Sequence, residues 1–460
     1  MRRSLIGLWG RVVFALIIFA TLTTGILLRN PKWLSDFDQS FYITIAYDLV
    51  HHGVFSNGVF DNVDSTQEAP PPGRFFAPVY PAVVAALMII DPRFARAADC
   101  SVESNAGSRP GSQCEVYARP AHLANALFLI LGVLAVGLTA ELIVGMTAAF
   151  WLAGMLATVA LLSDADLFSF VMTESITFGL YSLALLAFVW SIKAPAVGRF
   201  LVAGALLGLL VLTRTSYILL FFIVPVLIVI ATRQNWVKAL GYAAGFVVAC
   251  ATIVSPWMAR NALSVGHWGL TEEYGSATLI ERFAFNDMTA REFFLSFAYC
   301  LPTVGPAVVE TTLGKRAMER FVYHTPKSFF HVGRGMRDKL VEAHGRLDPL
   351  IGGIVREEMQ RRWWRHLLVS LSLGWCGMWV GGALGLLLIP AFVVGVLMAR
   401  DATLRLLLFY SVPAFAMLGL HALIANQYTR YNLILIGPFA AGATSLALTI
   451  FAKRKALVRQ

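Results

Sequence analysis

Ser35-Asp36-Phe37-Asp38-Gln39-Ser40-Phe41-Tyr42, continuing through Ile45, Ala46 and Leu49 to Gly53, is the stretch around which this chain is organised. It follows the first long apolar run and precedes a polar segment. Tyr42, Ile45, Ala46, Leu49 and Val50 recur at helical spacing on one face, and Gln39, Thr44, Asp48, His51 and His52 take the other. Ser35 or Asp36 suits the helix cap, and Gly53 its end. The pattern predicts an amphipathic helix lying on a membrane surface rather than crossing it. Asp38 falls one turn before Tyr42, on the apolar side, where a carboxylate is poorly solvated and needs a partner or a task.

Composition sets the class. The 460 residues are 58% hydrophobic and only 14% charged, with mean hydropathy +0.69; a soluble chain carries about a quarter charged residues. The apolar residues cluster in runs near bilayer length, which predicts an all-α polytopic membrane protein of one integral domain, 1–460. The formal charge of +10 is therefore no sign of nucleic acid. Arg2, Arg3 and Arg11 precede the first run, Lys193 and Arg199 follow the fourth, and Lys453, Arg454 and Lys455 follow the last, as the positive-inside rule asks. The first run lacks a small-residue cleavage pattern and reads as an uncleaved anchor.

The runs give about ten spans. The first covers 12–28 and leads into a long segment, 29–117. Within that segment 61–74 reads as turn and coil, and the apolar run to Ile90 is too short to span comfortably, so it reads as a surface or re-entrant helix. Spans follow at 122–144, 148–162, 168–190, 201–212, 219–231 and 239–257. A second large segment, 260–365, carries a helix that begins at Thr325-Pro326. Trp363, Trp364 and the run to Cys376 read as interfacial, and spans at 379–398, 406–424 and 433–451 complete the chain. Both termini are then cytoplasmic, and both large segments face outward with Asp38, Asp164 and Asp166. Cys250 and Cys376, in apolar runs, read as inert packing residues. Cys100 and Cys114 share one polar loop; a bond between them would contribute about 3 kcal/mol, and two unpaired thiols are the alternative.

The order of short motifs resembles the GT-C membrane glycosyltransferases, in the branch of protein O-mannosyltransferases and lipid A aminoarabinose transferases. Asp38, Tyr42, Ala46 and Gly53 resemble the first-loop motif. Pro78-Val79-Tyr80-Pro81, Thr173-Glu174-Ser175, the Gly-rich run from Gly204 to Arg214, Pro256-Trp257 with Arg260-Asn261 and Gly266, and Arg430-Tyr431 then follow in the family's order. The segment from Cys100 to Cys114 departs from it as an insertion. The resemblance implies a hexosyl- or pentosyltransferase of a bacterial inner membrane, its active site on the periplasmic face. A sugar would leave a polyprenyl-phosphate donor for lipid A, lipopolysaccharide, another envelope glycan or a protein, with the first-loop Asp as base.

The residues carry their own weight beside this. Asp38 suits a general base; its bland reading is a helix-start carboxylate. Arg214, Arg260 and Arg430 stand at outward ends of spans, where a lipid phosphate would explain a guanidinium fork, with Arg260 favoured and snorkelling the alternative. Glu174 enters a span and, with Asp166, Tyr42, Tyr80 and Tyr431, suits substrate positioning; an aromatic belt explains the tyrosines, and Trp257, equally well. Asp36, Asp38, Asp164 and Asp166 are the acids that would hold a divalent metal if one is used, although capping suits Asp36 better. The sequence singles out no cofactor beyond the donor lipid and leaves a divalent metal open. The rival reading is a transporter or flippase of lipid-linked sugars, which would place charges near mid-membrane in broken helices; a polysaccharide polymerase or ligase differs mainly in its larger donor.

Overall fold

The computed structural model describes residues 2–29, 32–36, 38–61, 63–107, 111–164, 167, 169–425 and 429–457. Asp166, and Phe168 at the expected start of the fourth span, lie outside them. The described chain is all-helical. It runs α1 (Arg2–Leu27), α2 (Gln39–His51), α3 (Val79–Ile90), α4 (Pro92–Asn105), α5 (Arg119–Val144) and α6 (Thr147–Leu162), then α7 (Glu174–Lys193), α8 (Val197–Val211), α9 (Ile218–Thr232) and α10 (Trp236–Val265). The second large segment forms α11 (Tyr274–Phe283), α12 (Ala290–Tyr299), α13 (Gly305–Leu313) and α14 (Phe329–His344). The chain ends with α15 (Asp348–Met378), α16 (Gly385–Met398), α17 (Asp401–Ile424) and α18 (Ile436–Leu457).

Six helices among the described residues are long and apolar enough to cross a membrane: α5, α7, α10, α17, and α9 and α18 with the short turns that precede them. The protein is a multi-pass membrane protein. The α15–α16 pair passes the same test only as a unit bent by 109°. Trp9–Gly25 within α1, together with α3, α6 and α8, are shorter apolar helices.

Close helix approach is built on glycine. A Cβ at Gly204 of α8 would sit 2.2 Å from the Phe246 carbonyl of α10, and one at Gly395 of α16 would sit 2.2 Å from that of Gly442 in α18. Small residues let backbones touch where lipid offers no hydrophobic drive between helices. The Gly-rich stretch before Arg214 thus fixes α8 against α10.

Polar contacts mark two ends of the bundle. At one, Arg11 of α1 pairs with Glu141 of α5 at 2.6 Å, and Lys193 of α7 donates to the Leu142 carbonyl at 2.8 Å. Glu174 opens the same α7, roughly 30 Å away at 1.5 Å per residue. Around it gather α2, the short turn before α18 and the two large segments.

Several expectations change. Much of the polar face of α2 is not solvated: Gln39, Thr44 and Asp48 are buried, and only its C-terminal end, at His51, is exposed. Distant segments cover it. Gln39 donates to the Trp33 carbonyl and accepts from Val171 N at 3.0 Å, and Ser56 Oγ donates to Asp48. Neither Ser35 nor Asp36 caps this helix; Asp38 occupies the cap position and its side chain makes no cap bond. α10 runs through Pro256 to Val265 and ends where Gly266 adopts φ 77°, so Arg260 lies on a helix rather than in a loop. The helix expected at Thr325 starts at Phe329, with Ser328 accepting from His331 N. Cys376 is not inert: it is bonded to Cys300, joining α12 to α15. Cys100 and Cys114 are bonded as well, with 5.6 Å between their Cα atoms.

The second large segment is anchored by Arg282, fully buried in α11. It donates to the Ala422 carbonyl of α17 at 2.8 Å and to Ser370 Oγ of α15 at 2.9 Å. Asn286 accepts from it at 3.0 Å and donates onward to Glu358 at 2.7 Å. A buried cation is tolerated where its donors are satisfied in this way.

Candidate active site

The site begins with the backbone that carries Asp38. Lys32 N bonds the Ser169 carbonyl at 3.0 Å, and Gln39 bonds Val171 N, so Lys32 and Gln39 lie against the segment leading into α7. That alignment delivers Asp38 beside the start of α7, where Glu174 is buried. Asp38 does not serve its own helix. Its Oδ2 accepts from Arg430 Nη2 at 2.7 Å, and its side chain remains 43% exposed, against 24% for Arg430. Arg430 sits in the 3₁₀ turn Thr429–Leu435 ahead of α18.

Glu174 lies between two guanidiniums. Its Oε1 is 3.5 Å from Arg214 Nη1 and 3.7 Å from Arg430 Nε. Arg214 leaves the end of α8 in extended conformation, φ −143° and ψ 112°, which carries its side chain back across the bundle. Its guanidinium lies 4.8 Å from the centroid of the Tyr431 ring, and that of Arg430 lies 5.4 Å from the same ring. Two acids and two guanidiniums therefore form one formally neutral cluster. Arg430 also donates to Met172 Sδ at 3.3 Å. Glu174 Oε2 is buried and takes no hydrogen bond among the described residues.

Tyr42 closes one side. Its ring meets Tyr80 edge-on at 5.1 Å and Phe76 at 5.5 Å. Burial, and after it the charges of Glu174 and Asp38, push its hydroxyl up from the usual phenol range, so it remains a donor at neutral pH. Tyr80 donates to Asn125 at 3.3 Å, outside the charged cluster.

Beside the cluster opens a cavity of about 490 Å³, lined by Tyr42, Phe76, Arg214, Tyr274, His421 and Tyr431 among others. That size is within the range of small-molecule sites. A much smaller recess, lined by Asp164, Met172, Glu174, Ser175 and Arg430, opens elsewhere along the cluster. Glu174 and Arg430 line the recess, while Arg214 lines the cavity.

Asp38, Tyr42, Glu174, Arg214, Arg430 and Tyr431 thus come together, with Asp164 at the recess. Arg260 does not join them. It donates to the Phe55 carbonyl at 2.8 Å, to the Gly73 carbonyl and to Asn261 at 3.1 Å. It packs over Trp257 at 5.0 Å. Its guanidinium fastens the loop 55–73 to α10. Arg74, near it in sequence, pairs with Glu272 at 3.0 Å, both buried. Asp36 lies in the bend before α2 and is half-buried. Among the described residues no group of three or more His, Cys, Asp or Glu side chains gathers as a metal site, and Asp166 lies outside them.

Sequence reasoning did not single out Tyr274, Thr271, His421 or Met172. Thr215 and Ser216, which also line the cavity, follow Arg214 directly. Their adjacency to a candidate arginine was a usable signal.

No family model matches the sequence, and no curated protein matches it. Among solved structures the chain is similar to ArnT from Cupriavidus metallidurans bound to undecaprenyl phosphate, with 14% identity, 95% of this chain and 78% of that chain covered, and a TM-score of 0.40. It is likewise similar to ArnT from Cupriavidus metallidurans in the apo state, with 16% identity, 95% and 76% covered, and a TM-score of 0.39.

Proposed function

We propose that this chain is a GT-C-type glycosyltransferase that moves a sugar from a polyprenyl-phosphate donor to a cell-envelope acceptor at the periplasmic face of a bacterial inner membrane. One observation carries the reading. Asp38, Glu174, Arg214 and Arg430 come from four distant parts of the sequence, each within a motif of the family's order, and they meet beside a cavity large enough for a sugar. Arg214, with Arg430, takes the donor phosphate; a planar fork matches its oxygens and stabilises it as a leaving group. Asp38 removes the acceptor hydroxyl proton. The acceptor oxygen bonds the anomeric carbon as the bond from that carbon to the phosphate oxygen breaks. Polyprenyl phosphate departs, with inversion. Where the acceptor is already ionised, Asp38 orients it instead. Glu174 holds the two arginines apart and in register, and Tyr42 offers a hydroxyl to the bound substrate.

The rival reading, a flippase of lipid-linked sugars, draws on the 109° break between α15 and α16. The buried charges oppose it. Asp48, Arg74, Glu272, Glu281, Arg282 and Glu358 all lie within the two large segments, and Glu174 stands at a helix end. Charges grouped in this way support chemistry at a surface better than passage through a midplane. The deciding experiment reconstitutes the purified protein in vesicles with polyprenyl-phosphate sugars and envelope acceptors, with and without a chelator. A sugar-sized mass gain on an acceptor supports transfer; movement of the intact donor between leaflets with no mass gain overturns it.

A further inference from the structure

The lining of the 490 Å³ cavity selects among donor sugars, an inference that rests on the transferase reading above. Its wall has two kinds of surface. Tyr42, Phe75, Phe76, Tyr274 and Tyr431 contribute aromatic rings, and Thr213, Thr215, Ser216, Thr271 and Thr278 contribute hydroxyls. The hydroxyls come from separate segments, among them the turn after α8 and the loop before α11, which meet where Thr215 and Thr271 lie within hydrogen-bond distance, 3.4 Å from Oγ1 to Oγ1. Aromatic faces take the C–H side of a pyranose, and hydroxyls match its O–H groups as donor and acceptor alike.

The charge in the wall is of one sign. Arg214 is its cation, and no carboxylate stands among its described lining residues. The acids around the wall are engaged by guanidiniums: Asp38 and Glu174 face Arg430 and Arg214, and Glu272 and Glu273, between the lining residues Thr271 and Tyr274, pair with Arg74 and Arg346. Arg214 is already balanced by Glu174 and, on the reading above, by the donor phosphate, so an ammonium on the sugar would be partly desolvated among neutral dipoles with no free carboxylate in the wall to pair it. We infer that the donor sugar is an uncharged polyhydroxyl ring, and that the cavity discriminates against a sugar bearing a free amine.

The test is competition against a fluorescent polyprenyl phosphate on the detergent-solubilised full chain at pH 7. The competitors are bare polyprenyl phosphate, polyprenyl phosphate carrying glucose, and the same lipid carrying 6-amino-6-deoxyglucose, which differs by one hydroxyl exchanged for an ammonium. The glucose lipid is expected to compete at least about tenfold better than the amino lipid, a difference of about 1.4 kcal/mol. Equal or better competition by the amino lipid, with bare polyprenyl phosphate still competing, overturns the inference and leaves the transferase reading standing. Failure of bare polyprenyl phosphate to compete removes the donor site itself, and this inference with it. Thr271→Glu and Thr278→Glu place a carboxylate in the wall. Each is expected to shift the ratio about tenfold toward the amino lipid, and an unchanged ratio in both folded variants would show that the sugar lies elsewhere.

Discussion

Arg430 donates from Nη2 to Asp38 Oδ2 at 2.7 Å across a separation of 392 residues. This contact closes the two ends of the chain onto one site. It also separates two roles for a carboxylate at the start of a helix. A cap turns inward to its own N–H groups; Asp38 turns outward to a guanidinium, and its side chain stays 43% exposed.

The two arginines should separate in kinetics. Arg214 lines the cavity, whereas Arg430 also orients Asp38. Lysine keeps the charge but loses the fork. We expect Arg214→Lys to act mainly on donor KM and Arg430→Lys mainly on kcat, each by roughly 10- to 100-fold. Steady-state transfer over a range of donor concentrations reads the split. Identical profiles for the two variants would mean that Arg430 has no separate link to the base.

Arg260 should behave as a structural residue. Its bonds to the Phe55 and Gly73 carbonyls fasten the first large segment to α10. Removing a charged donor from such partners costs about 2–4 kcal/mol. Arg260→Ala is expected to lower Tm and to speed proteolysis within 53–73, while the folded fraction binds donor better than Arg214→Ala does. A loss of donor affinity matching Arg214→Ala at unchanged Tm would return Arg260 to the phosphate.

The second disulfide should be the stronger brace. Cys300 and Cys376 are 76 residues apart, and a loop of that length corresponds to about 4.5 kcal/mol in the chain-entropy account; Cys100 and Cys114 are 14 apart, nearer about 3 kcal/mol. Cys300→Ser should therefore lower Tm more than Cys114→Ser. Alkylation of the denatured, unreduced protein should label one thiol, that of Cys250. Three labelled thiols would refute one of the bonds, and five would refute both.

Asp48 gives a pH signature. Burial raises its carboxyl above the usual range, more than its hydrogen bonds from Ser56 and Ser65 lower it. The folded protein therefore binds this proton more tightly than the unfolded chain does. Its contribution favours folding at low pH and is lost as pH rises from about 4 through the raised value. Asp48→Asn keeps an acceptor for Ser56 without the charge. Its Tm should equal or exceed that of the parent at pH 7 to 8, with the difference closing toward pH 4. A variant markedly less stable at pH 8 would mean that the carboxylate form is the one the fold uses.

Much of the architecture was readable because bilayer length and helical period act locally. The apolar runs announced α5, α7, α10 and α17, and the spacing around Tyr42 announced α2. What periodicity could not reveal was how α2 is covered. Gln39 and Asp48 read as a wet face until Trp33, Val171 and Ser56 close over them, and those partners are set by tertiary packing. The same holds for the site. The motif order named Asp38, Glu174, Arg214 and Arg430 as separate candidates, but their meeting depends on Lys32 and Gln39 lying along 169–172. Arg260, the favoured phosphate ligand on sequence grounds, is drawn to loop carbonyls because α10 continues past Pro256. Cys300 and Cys376 were missed because one stands at a helix end and the other in an apolar run, and only the approach of α12 to α15 pairs them.

Asp38→Asn, assayed for sugar transfer in reconstituted vesicles beside a donor-binding measurement on the same preparation, tests the centre of this account. The expected result is a loss of transfer of about 10²- to 10⁴-fold, with folding, insertion and donor binding retained. Transfer within a few-fold of the parent would contradict it.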